Sequence, residues 1–261
     1  MWPFRRKTAA RPQAVDPARL ARMSSGELHA LLSGPPEEAA RWVLAAARLG
    51  LPEAQNRLGR MLLDGTGMAA DPARAVAWFK TAAREHDGDA MNMLGRCCEH
   101  GWGVAADPVA ATEWYRKAAE RGDAWGQYNF AHRLLDGAGI AQDRARALHW
   151  YLQAAAQGHG RAMNLAARCY EEGWGTACDA ALAAHWYRRS AEAGYFRAQY
   201  NYATILAQQG RFAEAAGWFC AAAESGTPEL RRRIAEALGR SRDPGLRNAA
   251  ERALALQHAA P

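Results

Sequence analysis

Two periods of hydrophobic and polar positions run through this chain. At short range, Ala54, Leu58, Met61 and Leu62 recur at helical spacing, and the stripe returns as Ala90, Leu94, Cys97 and Cys98, then as Ala162, Ala166, Cys169 and Tyr170. A second kind of helix carries Ala111, Trp114, Tyr115, Ala118 and Ala119 on one face. Between the two lie glycine pairs, Gly65/Gly67, Gly101/Gly103, Gly137/Gly139 and Gly173/Gly175, whose tolerance of positive φ predicts a turn that ends the first helix and reverses the chain. Asp71-Pro72 and Asp107-Pro108 then open the second helix, aspartate capping free amides and proline having no donor to lose.

The long period is set by tryptophan. Trp42, Trp78, Trp114, Trp150, Trp186 and Trp218 are spaced by four intervals of 36 residues and one of 32. A bulky aromatic follows five of them: Phe79, Tyr115, Tyr151, Tyr187 and Phe219. A fixed period in this range marks stacked supersecondary units, each too small to bury its apolar face alone. The tryptophans are expected to fill the space between units while the alanines let helices approach closely. The glycine-rich, aromatic stretch from His100 to Gly122 therefore reads as a helix-turn-helix unit, its glycines as turn residues.

The segment AMNMLGRCCEHGWGVAADPVAATEWYRKAAERG, residues 90–122, resembles a Sel-like repeat, a longer-looped relative of the tetratricopeptide unit. The matching positions are Leu94-Gly95, Gly101, Gly103, Asp107, Trp114-Tyr115, Ala118-Ala119 and Gly122. The resemblance implies an all-α fold, a right-handed superhelical α/α solenoid of stacked two-helix repeats, and members of such families mostly bind other proteins. Repeats are expected over about 51–86, 87–122, 123–158, 159–194 and 195–226, the fifth without the glycine loop. Capping helices are expected at 23–50 and 227–261, and residues 1–22 read as a disordered basic leader.

Composition narrows the function classes. The net charge of +6 is concentrated at the ends, and the repeats carry no basic stripe, so nucleic acid is not the expected partner. No run of apolar residues is long enough for a membrane span, and the N-terminus lacks the apolar core of a secretory signal. Five cysteines without a disulfide framework fit a reducing, cytoplasmic setting. Cys97, Cys98 and Cys169 fall on the apolar stripe and are expected to pack as small hydrophobes. Cys97 and His100 share a helix, yet no CxxC or HxxxH completes a zinc site. There is no GxSxG elbow, phosphate loop or HExxH helix, so no catalytic, cofactor or metal residue is assigned.

What remains is a polar row on the first helices. Asn56 and Arg60 project away from the Ala54–Leu58–Leu62 stripe at 100° per residue. Their repeat equivalents are Asn92 and Arg96, Tyr128 and His132, Asn164 and Arg168, then Tyr200 and Thr204. In the family this face is concave, so Asn56, Arg60, Asn92, Arg96, Tyr128, His132, Asn164, Arg168 and Tyr200 are the candidate binding residues. Asparagine can pair with a peptide backbone and arginine with a carboxylate. The expected function is a non-catalytic scaffold or adaptor for a protein or peptide, an acidic one among the candidates. The alternative is a membrane-surface-associated regulatory or chaperone-like subunit touching the bilayer through residues 1–7, where Trp2 and Phe4 lie beside three cations. A hydrolase is the least favoured reading.

Overall fold

The elements are all helical in a computed structural model that describes residue 23 and residues 25–258; among these residues there is no strand. The basic leader and the proposed bilayer contact of residues 1–7 lie outside the described residues. The chain divides into two units, which meet in sequence between Ala106 and Asp107. The first contains α1 (Ser25–Leu32), α2 (Pro36–Arg48), α3 (Pro52–Asp64), α4 (Pro72–Arg84) and α5 (Gly88–His100). The second contains α6 (Pro108–Glu120), α7 (Ala124–Asp136), α8 (Arg144–Ala156), α9 (Gly160–Glu172), α10 (Ala180–Glu192), α11 (Phe196–Gln208), α12 (Phe212–Ser225), α13 (Pro228–Leu238) and α14 (Pro244–His258). Within each unit every helix packs on the next in sequence, so two-helix repeats stack as in an α/α solenoid, and α12 also packs on α14. No helix among the described residues is long and apolar enough to cross a membrane.

The outer helices start where the sequence says they should. Asp107 accepts hydrogen bonds from the amides of Val109 and Ala110 at 2.9 and 3.0 Å. Asp71, Asp143 and Asp179 cap α4, α8 and α10 in the same way. The inner helices α3, α5, α7 and α9 each end on the first glycine of a pair in the left-handed region. The second glycine has a different task. Gly103, at φ +68°, lies so close to the first turn of α4 that a Cβ there would overlap the Pro72 carbonyl. Gly139 meets the Pro108 carbonyl in the same manner. Each loop is thus seated on the backbone of the preceding repeat, and the glycine is required by contact as well as by φ.

The core differs from the sequence expectation in one respect. Phe79, Tyr115, Tyr151, Tyr187 and Phe219 are buried, whereas Trp78, Trp114, Trp150, Trp186 and Trp218 are only half-buried. At these five positions the residue after the tryptophan fills the interior, while Trp42, the first of the series, is itself buried as expected. Lys117 instead lies over the Trp114 ring, 4.6 Å from its centroid, and Arg189 over Trp186 at 4.9 Å. The indole suits this boundary position because it is large and carries one polar edge. Cys97 and Cys169 are buried as expected, and Cys98 is half-buried. Burial pushes the Cys97 and Cys169 thiols up to about 11, which holds both neutral.

Candidate partner-binding surface

The inner helices have neighbours on both sides in the stack, and this changes the fate of the polar row. In α3 the buried positions are Gln55, Asn56, Leu58, Gly59, Met61 and Leu62, an arc wider than one apolar stripe. Asn56, Asn92 and Asn164 are consequently buried, where the sequence reading placed them on an open surface with the following cations. In the first unit, Asn56 Nδ2 donates to Asp89 Oδ2 at 2.8 Å and more weakly to Asp87 Oδ1 at 3.4 Å. Arg60 Nη2 donates to both Asp89 oxygens, at 2.5 and 2.7 Å. The Asn–Arg pair of one repeat thus closes on the carboxylate of the next. Burial raises the Asp87 carboxyl above its usual range, and the nearby Asp89 charge adds to this.

Arg60 and Arg96 line a small cavity of about 250 Å³ in the first unit, floored by Met93 and Trp102. Arg96 sits over the Trp102 ring at 5.2 Å. Asn56 and Asn92 are not among the lining residues.

The second unit holds a larger cavity, about 630 Å³, and it gathers five of the sequence-predicted residues: Tyr128, His132, Asn164, Arg168 and Tyr200. They come from α7, α9 and α11, three consecutive inner helices, and α13 closes the far end with Arg233. The floor is aromatic. Tyr128 stacks on His132 and on His159, with ring centroids 6.0 and 5.0 Å apart. Tyr200 packs edge-on against the buried Phe219 at 5.5 Å. His132 Nδ1 lies 3.2 Å from the Tyr151 hydroxyl, and the Tyr187 hydroxyl donates to Glu171 at 2.6 Å. Burial pushes the Tyr128 and Tyr187 phenols up, so both stay neutral and can serve as hydrogen-bonding groups. Asn164 receives a hydrogen bond from Asn201 at 3.1 Å.

Sequence reasoning missed three of the cations that line this cavity. Arg233 is the sixth residue of α13, and Arg161 and Arg197 occupy one repeat position, the second residue of α9 and α11, beside the Asn–Arg row. The signal was available, since that position also aligns with Glu53, Asp89 and Trp125, but it carries no constant residue type. Arg168 lies over Trp174 at 4.9 Å, Arg161 over Trp125 at 5.4 Å, and Arg233 over Tyr200 at 4.9 Å. Among the described residues, no carboxylate lies within ion-pair distance of Arg161, Arg168, Arg197 or Arg233. No cluster of three or more metal-binding side chains occurs among the described residues.

Comparison with known proteins agrees with this architecture. The sequence matches the Sel1 repeat over residues 35–51, 52–87, 88–123, 126–159 and 160–195. The crystal structure of a Sel1 repeat protein from Oxalobacter formigenes is similar at 27% identity and a TM-score of 0.79, over 89% of this chain and 98% of that one. The antigen c5321 of uropathogenic Escherichia coli, described as displaying an SLR fold, is similar at 30% identity and a TM-score of 0.69. That match covers 85% of this chain and 49% of the antigen, so this chain spans about half the antigen's length. The immunity protein Pa5087 from Pseudomonas aeruginosa shares the fold at 17% identity and a TM-score of 0.53, over 79% of this chain and 81% of its own. Comparison with curated proteins gives no match.

Proposed function

Because the chain belongs to the Sel1 repeat family, whose members suggest a protein-interaction scaffold, we propose that it is a non-catalytic adaptor that seats a protein or peptide partner in the cavity of its second unit. One observation carries the reading: α7, α9 and α11 present residues from equivalent repeat positions to a single cavity of about 630 Å³. Its floor supplies apolar area through tyrosine rings, and its rim supplies fixed polar groups, the combination that binding sites use for affinity and orientation. The smaller cavity around Arg60 and Arg96 has its principal cation already engaged by Asp89 and supports the reading less.

The experiment is steric and leaves charge unchanged. Leu165 lines the cavity, while Leu182 is exposed on the outer helix α10. Partners captured by the full-length protein are compared with those captured by Leu165→Trp and Leu182→Trp. Loss with Leu165→Trp alone, at unchanged helical circular dichroism, is the expected result. Loss with Leu182→Trp alone would place the partner on the outer helices and defeat the proposal.

A further inference from the structure

One repeat position changes sign along the chain, and the change falls where the Asn–Arg pair needs a counter-charge. The second residue of inner helices α3, α5, α7, α9 and α11 is Glu53, Asp89, Trp125, Arg161 and Arg197 in turn; on α13 the position returns to an acid, Glu229, with Arg233 one turn further on. In the first unit Asp89 satisfies Arg60 and Asn56 of the preceding repeat. Three repeats on, Arg168 and Asn164 are the counterparts of Arg60 and Asn56, and Arg197 stands in the place of Asp89. The same binding pair therefore faces a like charge where its carboxylate should be.

From this we infer that the cavity of the second unit takes carboxylates from outside, and that its occupant is an acidic peptide segment with side chains seated between Arg168 and Arg197. The inference rests on the scaffold reading above and specifies the partner's chemistry. The first unit shows what the seat does when filled, with an asparagine amide at 2.8 Å and a guanidinium at 2.5 and 2.7 Å around one carboxylate. The second unit keeps the asparagine and the arginine, omits the acid, and adds Arg161, Arg197 and Arg233.

Helix polarity argues that this arrangement costs the fold something. The positive end of a helix favours acids in the first turn, as Glu53 and Asp89 provide, and disfavours Arg161 and Arg197. The same field helps hold an anion brought by a partner. The cavity also holds glutamates, and their positions leave the seat open. Glu229 is held by Arg232 at 2.8 Å, and Glu171 accepts from Tyr187. Glu171 and Glu172 end α9 one turn past Arg168, and neither lies within ion-pair distance of it. Each guanidinium keeps one face on an aromatic ring: Arg168 on Trp174, Arg161 on Trp125, Arg197 on Phe196 and Arg233 on Tyr200. Stacking fixes the fork while leaving its N–H edge available for bidentate pairing.

The test uses the full chain and a fluorescein-labelled hexaglutamate peptide, followed by anisotropy, with a twelve-nucleotide oligothymidylate as the second probe. Arg197→Asp restores the arrangement of the first unit, giving Arg168 an internal carboxylate. It should weaken hexaglutamate binding about tenfold or more, and Arg197→Gln by a smaller factor, because only the aspartate fills the seat. Arg189→Asp on the outer helix makes the same change in net charge and should alter binding less than about twofold. Hexaglutamate binding that is absent, or equal in wild type and Arg197→Asp, overturns the inference. Tighter binding of the oligothymidylate, lost in Arg197→Asp, overturns it in favour of a nucleic acid. A captured partner that is sensitive to Leu165→Trp but indifferent to Arg197→Asp and to salt would refute the acidic segment and leave the scaffold intact.

Discussion

Replacing either glycine of one loop by alanine separates backbone preference from close contact, because the two share a conformation and differ in surroundings. Gly101 and Gly103 have φ values of +73° and +68°. A left-handed alanine costs about 1–2 kcal/mol, and the loss of unfolded-state freedom returns about 0.4–1 kcal/mol. At Gly101 nothing further is added, since the nearest atoms to a Cβ are the Val104 carbonyl and Ala106 amide at 3.6 Å. At Gly103 the Cβ would overlap the Pro72 carbonyl and lie 2.7 Å from the Ala73 amide, all backbone at the start of α4. Relief requires α4 to retreat, an overpacking cost of about 1–3 kcal/mol, with further loss if the Asp71 cap is disturbed. Gly101→Ala should therefore lose about 1 kcal/mol and Gly103→Ala about 2–4 kcal/mol. For a chain of this size 1 kcal/mol corresponds to about 2–4 °C in Tm, so the pair should differ by several degrees in melts followed at 222 nm. Equal losses from the two substitutions would show that conformation alone dictates the glycines and that the loop is not seated on the preceding repeat.

Two further outcomes are expected. At pH 8 a thiol reagent should modify the exposed Cys178 quickly, while Cys97 and Cys169, buried and held near 11, should react only after denaturation; fast labelling of either would contradict their place in the core. Burial pulls His159 down from 6.5 to about 4, and its Nδ1 caps α9 by accepting from Ala162 at 3.1 Å, so the fold favours the neutral ring. Its contribution is complete above pH 6.5 and declines as the pH falls toward 4, where the unfolded chain binds the extra proton; His159→Asn keeps a capping oxygen and should flatten the stability profile over that interval, and an unchanged slope would refute the assignment.

Much of the fold was legible in the sequence because its signals are local. The glycine pairs, the Asp caps and the 36-residue return of Trp-aromatic each depend on a few adjacent residues, and the helices begin and end where those residues fall. Which side of a helix is buried is not local. Asn56 and Asn164 were read as surface residues because one apolar stripe was assumed, while stacking gives the inner helices a neighbour on each side. Tyr151 and Trp150 could not be ranked for burial from adjacency either, since one residue of rotation decides between core and boundary. The candidate site was legible in part. A row defined by recurring Asn and Arg found Arg168, but Arg161 and Arg197 share a position that recurs by place while its chemistry inverts, and Arg233 lies on a helix beyond the 36-residue period.

The seating of each glycine loop on a backbone carbonyl also bears on how such a chain can change its length. The acceptor surface is the carbonyl of the first residue of an outer helix, Pro36, Pro72 or Pro108 in three cases and Arg144 in the fourth, so side-chain identity hardly enters the joint. Excision of residues 124–159 would bring the loop of Gly175 onto Pro108, an acceptor of the same geometry as the Arg144 carbonyl it lost. A deletion that is not a whole number of 36-residue repeats would leave the glycine away from the first residue of an outer helix. Recombination between duplicated segments is thereby restricted to whole modules, and the array can grow or shrink over evolutionary time without redesigning a single junction.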